Sequence, residues 1–227
     1  EDLAAVTGEV VGGLLNATFG NVVEMLLCIA SIRSGQLIIT KCTLLGSILS
    51  NLLLVMGCSC LFGGIRYRTQ HFTEDGAYVQ VVMLLLSVLA LSLPTGYAET
   101  MRQEDDHVQL AVLQMSRYIS VLLLVAYGLY LYFQIVSHRD LFGSQDEEEG
   151  EAPDMGPRTA AVVLAGSTVL CALSTDYLIA SIQGTIATWG LSQEFVGIIL
   201  LPIIGNAAEH YTAITVALVD KMDLALG

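Results

Sequence analysis

A polytopic α-helical membrane protein is the fold class that this 227-residue sequence predicts. Three observations predict it. Six apolar stretches each reach or exceed the ~20 residues that a helix needs to cross a ~30 Å hydrocarbon core. Charged residues make up only 14% of the chain, against ~25% in soluble domains. Stretches such as Val79–Leu93 and Ile119–Leu131 also lack the polar stripe that a helix on a soluble core carries. The same facts exclude an ordinary cytosolic enzyme and exclude disorder. A formal net charge of −13 excludes a nucleic-acid partner, because nothing neutralises a phosphate backbone. No cofactor is expected. The chain begins at Glu1 rather than Met and ends beside an apolar segment, so it reads as a piece of a longer protein.

The spans are expected at Leu3–Ile32, Leu37–Ile65, Ala77–Tyr97, Met115–Val136, Thr159–Ile182 and Glu194–Val219. Short loops between the first four hold most of the remaining charge, from Arg33 to Lys41, Arg66 to Asp75 and Glu99 to His107. The first span would be ~45 Å long as a straight helix, so it must tilt, break or protrude. It carries Glu9, Asn16, Asn21 and Glu24 among Gly8, Gly12, Gly13 and Gly20. The last span carries Pro202, Gly205, Asn206, Glu209 and His210. In both, Gly or Pro interrupts the helix just before a polar cluster. The loop Arg139–Arg158 is different in kind, with seven acids between Asp140 and Asp154 bracketed by Gly and Pro. It divides the chain into a four-span block (1–138), the acidic loop (139–158) and a two-span block (159–227). The five cysteines, Cys28, Cys42, Cys58, Cys60 and Cys171, form no CxxC pair. Neither a zinc site nor a disulfide framework is indicated, and buried free thiols are expected.

An internal repeat relates the first and last spans. Residue n laid over n + 185 matches Glu9 with Glu194, Val11 with Val196, Gly12 with Gly197 and Leu15 with Leu200. It also matches Gly20 with Gly205, Asn21 with Asn206 and Glu24 with Glu209. Five further crossings separate the copies, and an odd number makes them run in opposite directions. Inverted repeats with broken helices in equivalent places are the signature of secondary transporters, whose site lies near the midplane where the copies meet.

Each copy reads GNxxE, with Asn and Glu three residues apart and therefore on one helix face. Together Glu24, Glu209, Asn21 and Asn206 offer two carboxylates and two amide oxygens. Hard oxygens with two negative charges suit Ca²⁺, and the absence of Cys or a His cluster at the motif disfavours zinc and copper. Two like charges sharing a buried site also favour proton uptake once the metal leaves. Metal and protons then compete for the same oxygens, which is the physical basis of antiport.

The sequences GGLLNATFGNVVEMLL (Gly12–Leu27) and VGIILLPIIGNAAEH (Val196–His210) resemble the two signature repeats of the vacuolar-type cation/proton exchangers, a family of the Ca²⁺/cation antiporter superfamily. GSILSN (Gly46–Asn51) and the acidic loop follow in matching order. The resemblance implies a fold of two inverted five-helix halves, of which about six transmembrane helices, the second to the seventh, are present here. It implies exchange of luminal H⁺ for cytosolic Ca²⁺ or other divalent cations across the vacuolar membrane. Transport, not enzymatic catalysis, is thus expected, with Ca²⁺ and H⁺ as cargo and the lipid bilayer as surroundings. By resemblance Glu24 and Glu209 bind the ion, Asn21 and Asn206 assist, and Asn16 precedes the first motif as in the family. A cytosolic acidic loop would put Arg66, Arg68, Arg139, Arg158 and Lys221 on the cytosolic side, against four luminal basic residues, which is hardly a positive-inside bias.

Other polar residues have two readings. Ser47, Ser50 and Asn51 lie at helical spacing, either as interhelical hydrogen-bonding groups or beside the carboxylates on the ion path. Asp176, in an apolar context, is read as an ion-entry residue against a structural one. His210 either tunes selectivity and proton coupling or is a hydrogen-bonded bundle histidine. Glu9 and Glu194 lie near span ends and are either interfacial or part of a vestibule. The acidic loop is a solvated linker or a low-affinity Ca²⁺ collector, and it lacks EF-hand spacing. Competing functions are a Na⁺-coupled Ca²⁺ exchanger and a cation channel. An intramembrane aspartyl hydrolase would need a GxGD motif, and the sequence has none.

Overall fold

In a computed structural model of the chain, residues 9–101, 106–138, 155–222 and 225 are described, except for the side chains of residues 9, 10 and 16. Among them all regular structure is helical. The helices are α1 (Glu9–Phe19), α2 (Val22–Arg33), α3 (Leu37–Arg66), α4 (Glu74–Thr100), α5 (Asp106–Ser137), α6 (Pro157–Trp189), α7 (Gln193–Gly205) and α8 (Ala207–Leu218). Helices α3, α4, α5 and α6 are each long and apolar enough to cross a membrane. The bent pairs α1–α2 and α7–α8 bring the number of spans to six if each pair is one span.

Both predicted interruptions are breaks. The first span turns by 45° at Gly20–Asn21 and the last by 53° at Asn206. Pro202, four residues before the second break, has no N–H for the preceding turn and directly follows a widened stretch of helix. The ladder there runs one residue wide, with Leu201 N–H donating to Val196 O across the π-helical segment Val196–Leu200. The fourth and fifth spans are longer than expected. Helix α5 starts at Asp106 and α6 runs on to Trp189, because neither Gln109 and Gln114 nor Thr185 and Thr188 breaks a helix. The Thr185 and Thr188 hydroxyls bond back to carbonyls of their own helix.

Two compact units are present. One gathers α1, α2 and α3 with α6, α7 and α8, and the other is α4 packed on α5. The first unit thus holds both copies of the repeat. Its core joins Leu27 and Ala30 of α2, Ile39 of α3, Ile179 and Ile182 of α6, and Val196 and Leu201 of α7. Helix α3 is the central element, flanked by α2, α7 and α8. Its approach to α7 depends on glycine. A Cβ on Gly46 would collide with Ile198 O and come within 2.5 Å of Pro202 Cγ, and one on Gly197 would lie 2.5 Å from Cys42 Cβ. Small residues at such crossings let membrane helices pack backbone to backbone.

In the second unit, α5 has no buried residue and α4 buries only Gly76 and Ala90. Exposed leucines and valines are ordinary for spans whose surroundings are hydrocarbon. The cysteines correct an expectation for the same reason. All five are free, but none is fully buried and Cys60 is exposed. The acidic loop from residue 139 to 154 lies outside the described residues, and the readings made of it remain expectations.

Candidate functional site

The two GNxxE motifs form equivalent corners. Asn21 and Asn206 sit at the breaks with nearly the same backbone conformation, φ −104°, ψ 16° and φ −91°, ψ 18°. Glu24 and Glu209 follow in the first turns of α2 and α8. Helix N-termini carry partial positive charge, so each carboxylate sits where its helix helps to hold a negative charge. Glu209 lies within electrostatic range of both Glu24 and His210.

Helix α3 links the corners. Ser47 Oγ lies 3.3 Å from Glu24 Oε1 and 3.2 Å from Asn206 Oδ1. Having one hydrogen, it donates to one of them at a time, and it accepts from Asn206 Nδ2 at 3.1 Å. Asn206 Nδ2 also donates to Asn51 Oδ1 at 2.9 Å. Ser50 Oγ meets His210 Nε2 at 3.3 Å. His210 Nδ1 is 2.7 Å from the carbonyl of Asn206. A carbonyl only accepts, so Nδ1 carries the hydrogen, and in the neutral ring Nε2 accepts from Ser50. The α3 backbone is π-helical from Ser50 to Val55. This wider turn reduces the angle between successive side chains, so Ser50 reaches His210 of α8 while Asn51 reaches Asn206 at the break before it. Such segments recur at functional sites.

Glu24 Oε2 and Glu209 Oε2 are buried and have no hydrogen-bond partner among the described residues. Buried carboxylate oxygens rarely stay unpaired, and these two sit at matching positions of the repeat. With the Ser47, Asn51 and Asn206 oxygens close by, the donor set is oxygen-only and doubly negative, which fits a hard divalent cation. Among the described residues no group of three or more His, Cys, Asp or Glu side chains is placed to hold a metal ion. Two carboxylates with neutral oxygens suit an ion in passage better than a resident one.

The structure therefore brings together Glu24, Ser47, Ser50, Asn51, Asn206 and His210, with Glu209 in electrostatic range. It does not treat the two asparagines alike. Asn206 is buried, whereas Asn21 is exposed and its amide donates to Ala17 O at 3.0 Å. The expectation that Asn and Glu share one helix face is corrected here: each Asn lies at the break, before the helix that carries its Glu. Asp176 is exposed on α6 and takes no part in the cluster. Glu194 is exposed at the start of α7. Asn16 lies on α1, and its side chain is outside the described residues. Sequence reasoning did not single out Ser31 of α2, which bonds Thr40, or Gln36, Thr40 and Thr43, which lead along α3 toward the site. Their signal is a polar residue every three or four positions of an apolar helix, continuing into Ser47 and Ser50.

Known proteins are similar to this chain over nearly all of its length. The rice (Oryza sativa subsp. japonica) vacuolar cation/proton exchanger 1b is 44% identical over 244 residues, covering 100% of this chain and 53% of the rice protein. The Ca(2+)/H(+) antiporter of Aphanothece halophytica is 38% identical, covering 100% of this chain and 64% of the relative. The chain thus spans about half the length of the plant relatives that it matches. The structure of native YfkE superposes with a TM-score of 0.76 at 29% identity, covering 99% of this chain and 63% of that one. A selenium-substituted structure, described as the Ca2+/H+ antiporter protein YfkE, gives a TM-score of 0.75 at 31% identity. The sequence pattern of the sodium/calcium exchanger protein family matches residues 1–136 and 159–227, leaving out the acidic loop. With an inverted pair of broken helices and that match, this multi-pass integral membrane chain belongs to the sodium/calcium exchanger protein family.

Proposed function

We propose that this chain supplies the ion-binding core of a cation/proton antiporter, that its cation is Ca²⁺ or another divalent ion, and that it works in the vacuolar membrane. One observation carries the reading: Glu24 and Glu209, at matching corners of an inverted repeat, each keep a buried oxygen unpartnered. The relatives' names support the choice of ions and membrane. The divalent cation enters between the carboxylates and takes oxygens from both, with Ser47 and the amides of Asn206 and Asn51 completing part of its shell. Ser47 is then free to turn its hydrogen away from Glu24, since its alternative acceptor on Asn206 is equally near. When the cation leaves, two facing carboxylates repel and one takes up a proton. The site is thereby discharged before it reorients, and the two protonation steps belong to the pair jointly. The breaks at Gly20–Asn21 and Asn206 let each motif move with its short helix while α3 remains a continuous support.

Glu24→Gln and Glu209→Gln, each made in the whole protein, test this. The amide keeps the size and removes both the charge and the exchangeable proton, so each substitution is expected to abolish ΔpH-driven ⁴⁵Ca uptake in vesicles. Near-normal uptake by either variant overturns the site. Uptake that needs Na⁺ rather than a pH gradient would select the Na⁺-coupled reading, and uptake with no coupling at all would select a channel.

A further inference from the structure

Below the site, α3 carries a second polar arrangement. Gln36, Thr40, Thr43, Ser47 and Ser50 follow each other at steps of four, three, four and three residues, which places them on one face of the helix. Thr40, Thr43, Ser47 and Ser50 are buried. Helix α2 runs back along this face from the site to the turn before α3. Gly35, with φ 71°, makes that turn, and Gln36 N–H closes it on Ser31 O at 2.8 Å. Two contacts fix the register: Ser47 with Glu24 at the site, and Thr40 with Ser31, hydroxyl to hydroxyl, at 2.7 Å. In the same register Thr43 lies level with Cys28, halfway between them.

Thr43 is the informative member. It is 4% exposed, and its Oγ1 has no hydrogen-bond partner among the described residues. Gln36 repeats the feature. Its Nε2 donates to Ile179 O of α6 at 3.1 Å, and its Oε1 is buried and unpartnered. A hydroxyl placed there only to tie helices together would have found a partner. Thr40 returns its own hydroxyl to Gln36 O at 3.2 Å, so the orphan groups of the row are Thr43 and Gln36. Steps of three and four residues separate successive polar groups by ~4.5 and ~6 Å along the helix. Two O–H···O bonds in series span about 5.5 Å, so each gap is one water wide. Buried waters bind where two to four otherwise unsatisfied polar groups converge.

We propose that the α2–α3 hairpin holds a single file of bound waters, running from the turn at Gln36 past Thr40 and Thr43 to Ser47 and Glu24, and that this file is a proton passage distinct from the entrance used by the cation. The inference rests on the antiport reading above. A proton entering at the turn moves by exchange. Each water or hydroxyl accepts one hydrogen and passes on another, so one H⁺ arrives at the Glu24 carboxylate and each oxygen of the file ends with its original number of hydrogens. Ser31 and Ile39, near the start of the file, are each 1% exposed, and Ile39 belongs to the apolar core. A calcium ion with its 6–8 oxygen ligands does not fit where a proton needs only a hydrogen-bonded chain. The titratable groups around the file are Glu24 and Cys28 of α2, Cys42 of α3, and Glu209 and His210 of α8. Arg33 and Lys41 near the turn, Asp176 of α6 and Glu194 of α7 are exposed.

Thr43→Val keeps shape and removes the hydroxyl, while Thr43→Ser keeps the hydroxyl and removes a methyl. In the whole protein in proteoliposomes, Thr43→Val is expected to slow proton-driven ⁴⁵Ca uptake about tenfold, at the lower edge of what a positioned proton carrier contributes. Equilibrium ⁴⁵Ca binding is expected to stay within twofold of wild type, the slowing to grow in D₂O, and Thr43→Ser to recover the rate. Wild-type uptake by Thr43→Val overturns the file. Equal slowing by Val and Ser also overturns it, because that marks a packing role. If Thr43→Val does not insert and fold, Thr43→Ala with the same serine comparison is read in the same way. Glu24→Gln run beside them separates the two readings. Its continued exchange would end the antiport site itself, whereas its inactivity together with normal uptake by Thr43→Val would end only the file.

Discussion

Asn21 and Asn206 hold the same place in the repeat and nearly the same backbone conformation, but only Asn206 is enclosed by α3. Its amide bonds to Ser47 and Asn51, whereas the Asn21 amide bonds only to the helix that precedes it. The difference has an energetic consequence. Hydrogen bonds between membrane helices average about 0.6 kcal/mol, and a buried acceptor left without a donor costs ~1–3 kcal/mol. Asn206→Ala is therefore expected to lower stability by about 2 kcal/mol. Asn21→Ala, which loses one exposed local bond, is expected to cost under ~0.5 kcal/mol. Thermal unfolding of the purified protein in detergent checks this, and equal losses would show that the enclosure of Asn206 is not what holds α8 to α3. At the same scale, which asparagine is enclosed was not legible in the sequence. The motifs are alike, and the asymmetry arises because Ser47 and Asn51 of α3 reach one corner.

The elements were largely legible because membrane spans announce themselves by length and hydropathy, and because Gly20, Pro202 and Gly205 mark breaks in plain sight. The π-helical segments at Ser50–Val55 and Val196–Leu200 were not. A one-residue widening leaves no compositional trace, except that Pro202 follows the second. The α3–α7 crossing was also hidden, since it depends on which glycines face each other. That crossing supports an element-scale prediction. In an exposed helix Gly→Ala gains up to ~1 kcal/mol, but a Cβ on Gly197 would stand 2.5 Å from Cys42 Cβ. Overpacking of this kind costs ~1–3 kcal/mol, so Gly197→Ala is expected to lower the unfolding temperature. Cys42→Gly in the same chain removes the atom that it strikes and is expected to restore most of the loss. A double variant no more stable than Gly197→Ala alone would place the strain elsewhere. Gly46 faces Ile198 O and Pro202, so Gly46→Ala should destabilise without any single-residue rescue of this kind.

At the scale of the molecule, the first compact unit takes α1–α3 from one copy of the repeat and α7–α8 from the other, with α6 closing the core. An inverted repeat places at each carboxylate what the other copy contributes. Around Glu24 and Asn206 the neutral oxygens come from Ser47 and Asn51 of α3. The same relation, n + 185, puts the counterpart of Gly46–Asn51 beyond Gly227, and the chain spans about half the length of its plant relatives. If each carboxylate gives one oxygen, the two with three neutral side chains supply five of the 6–8 oxygens that calcium takes; only bidentate binding by both would bring seven. Alternating access also requires one repeat to rock against the other. Residues 1–227 alone are therefore expected to insert in liposomes and to bind Ca²⁺ weakly, but to show no Glu24-dependent ⁴⁵Ca uptake when a pH gradient is imposed. Co-expression with the remainder of the whole protein is expected to restore it. Robust exchange by residues 1–227 alone, lost in Glu24→Gln, would mean that a single set of α3 hydroxyls completes the site and that the second copy's equivalent is dispensable.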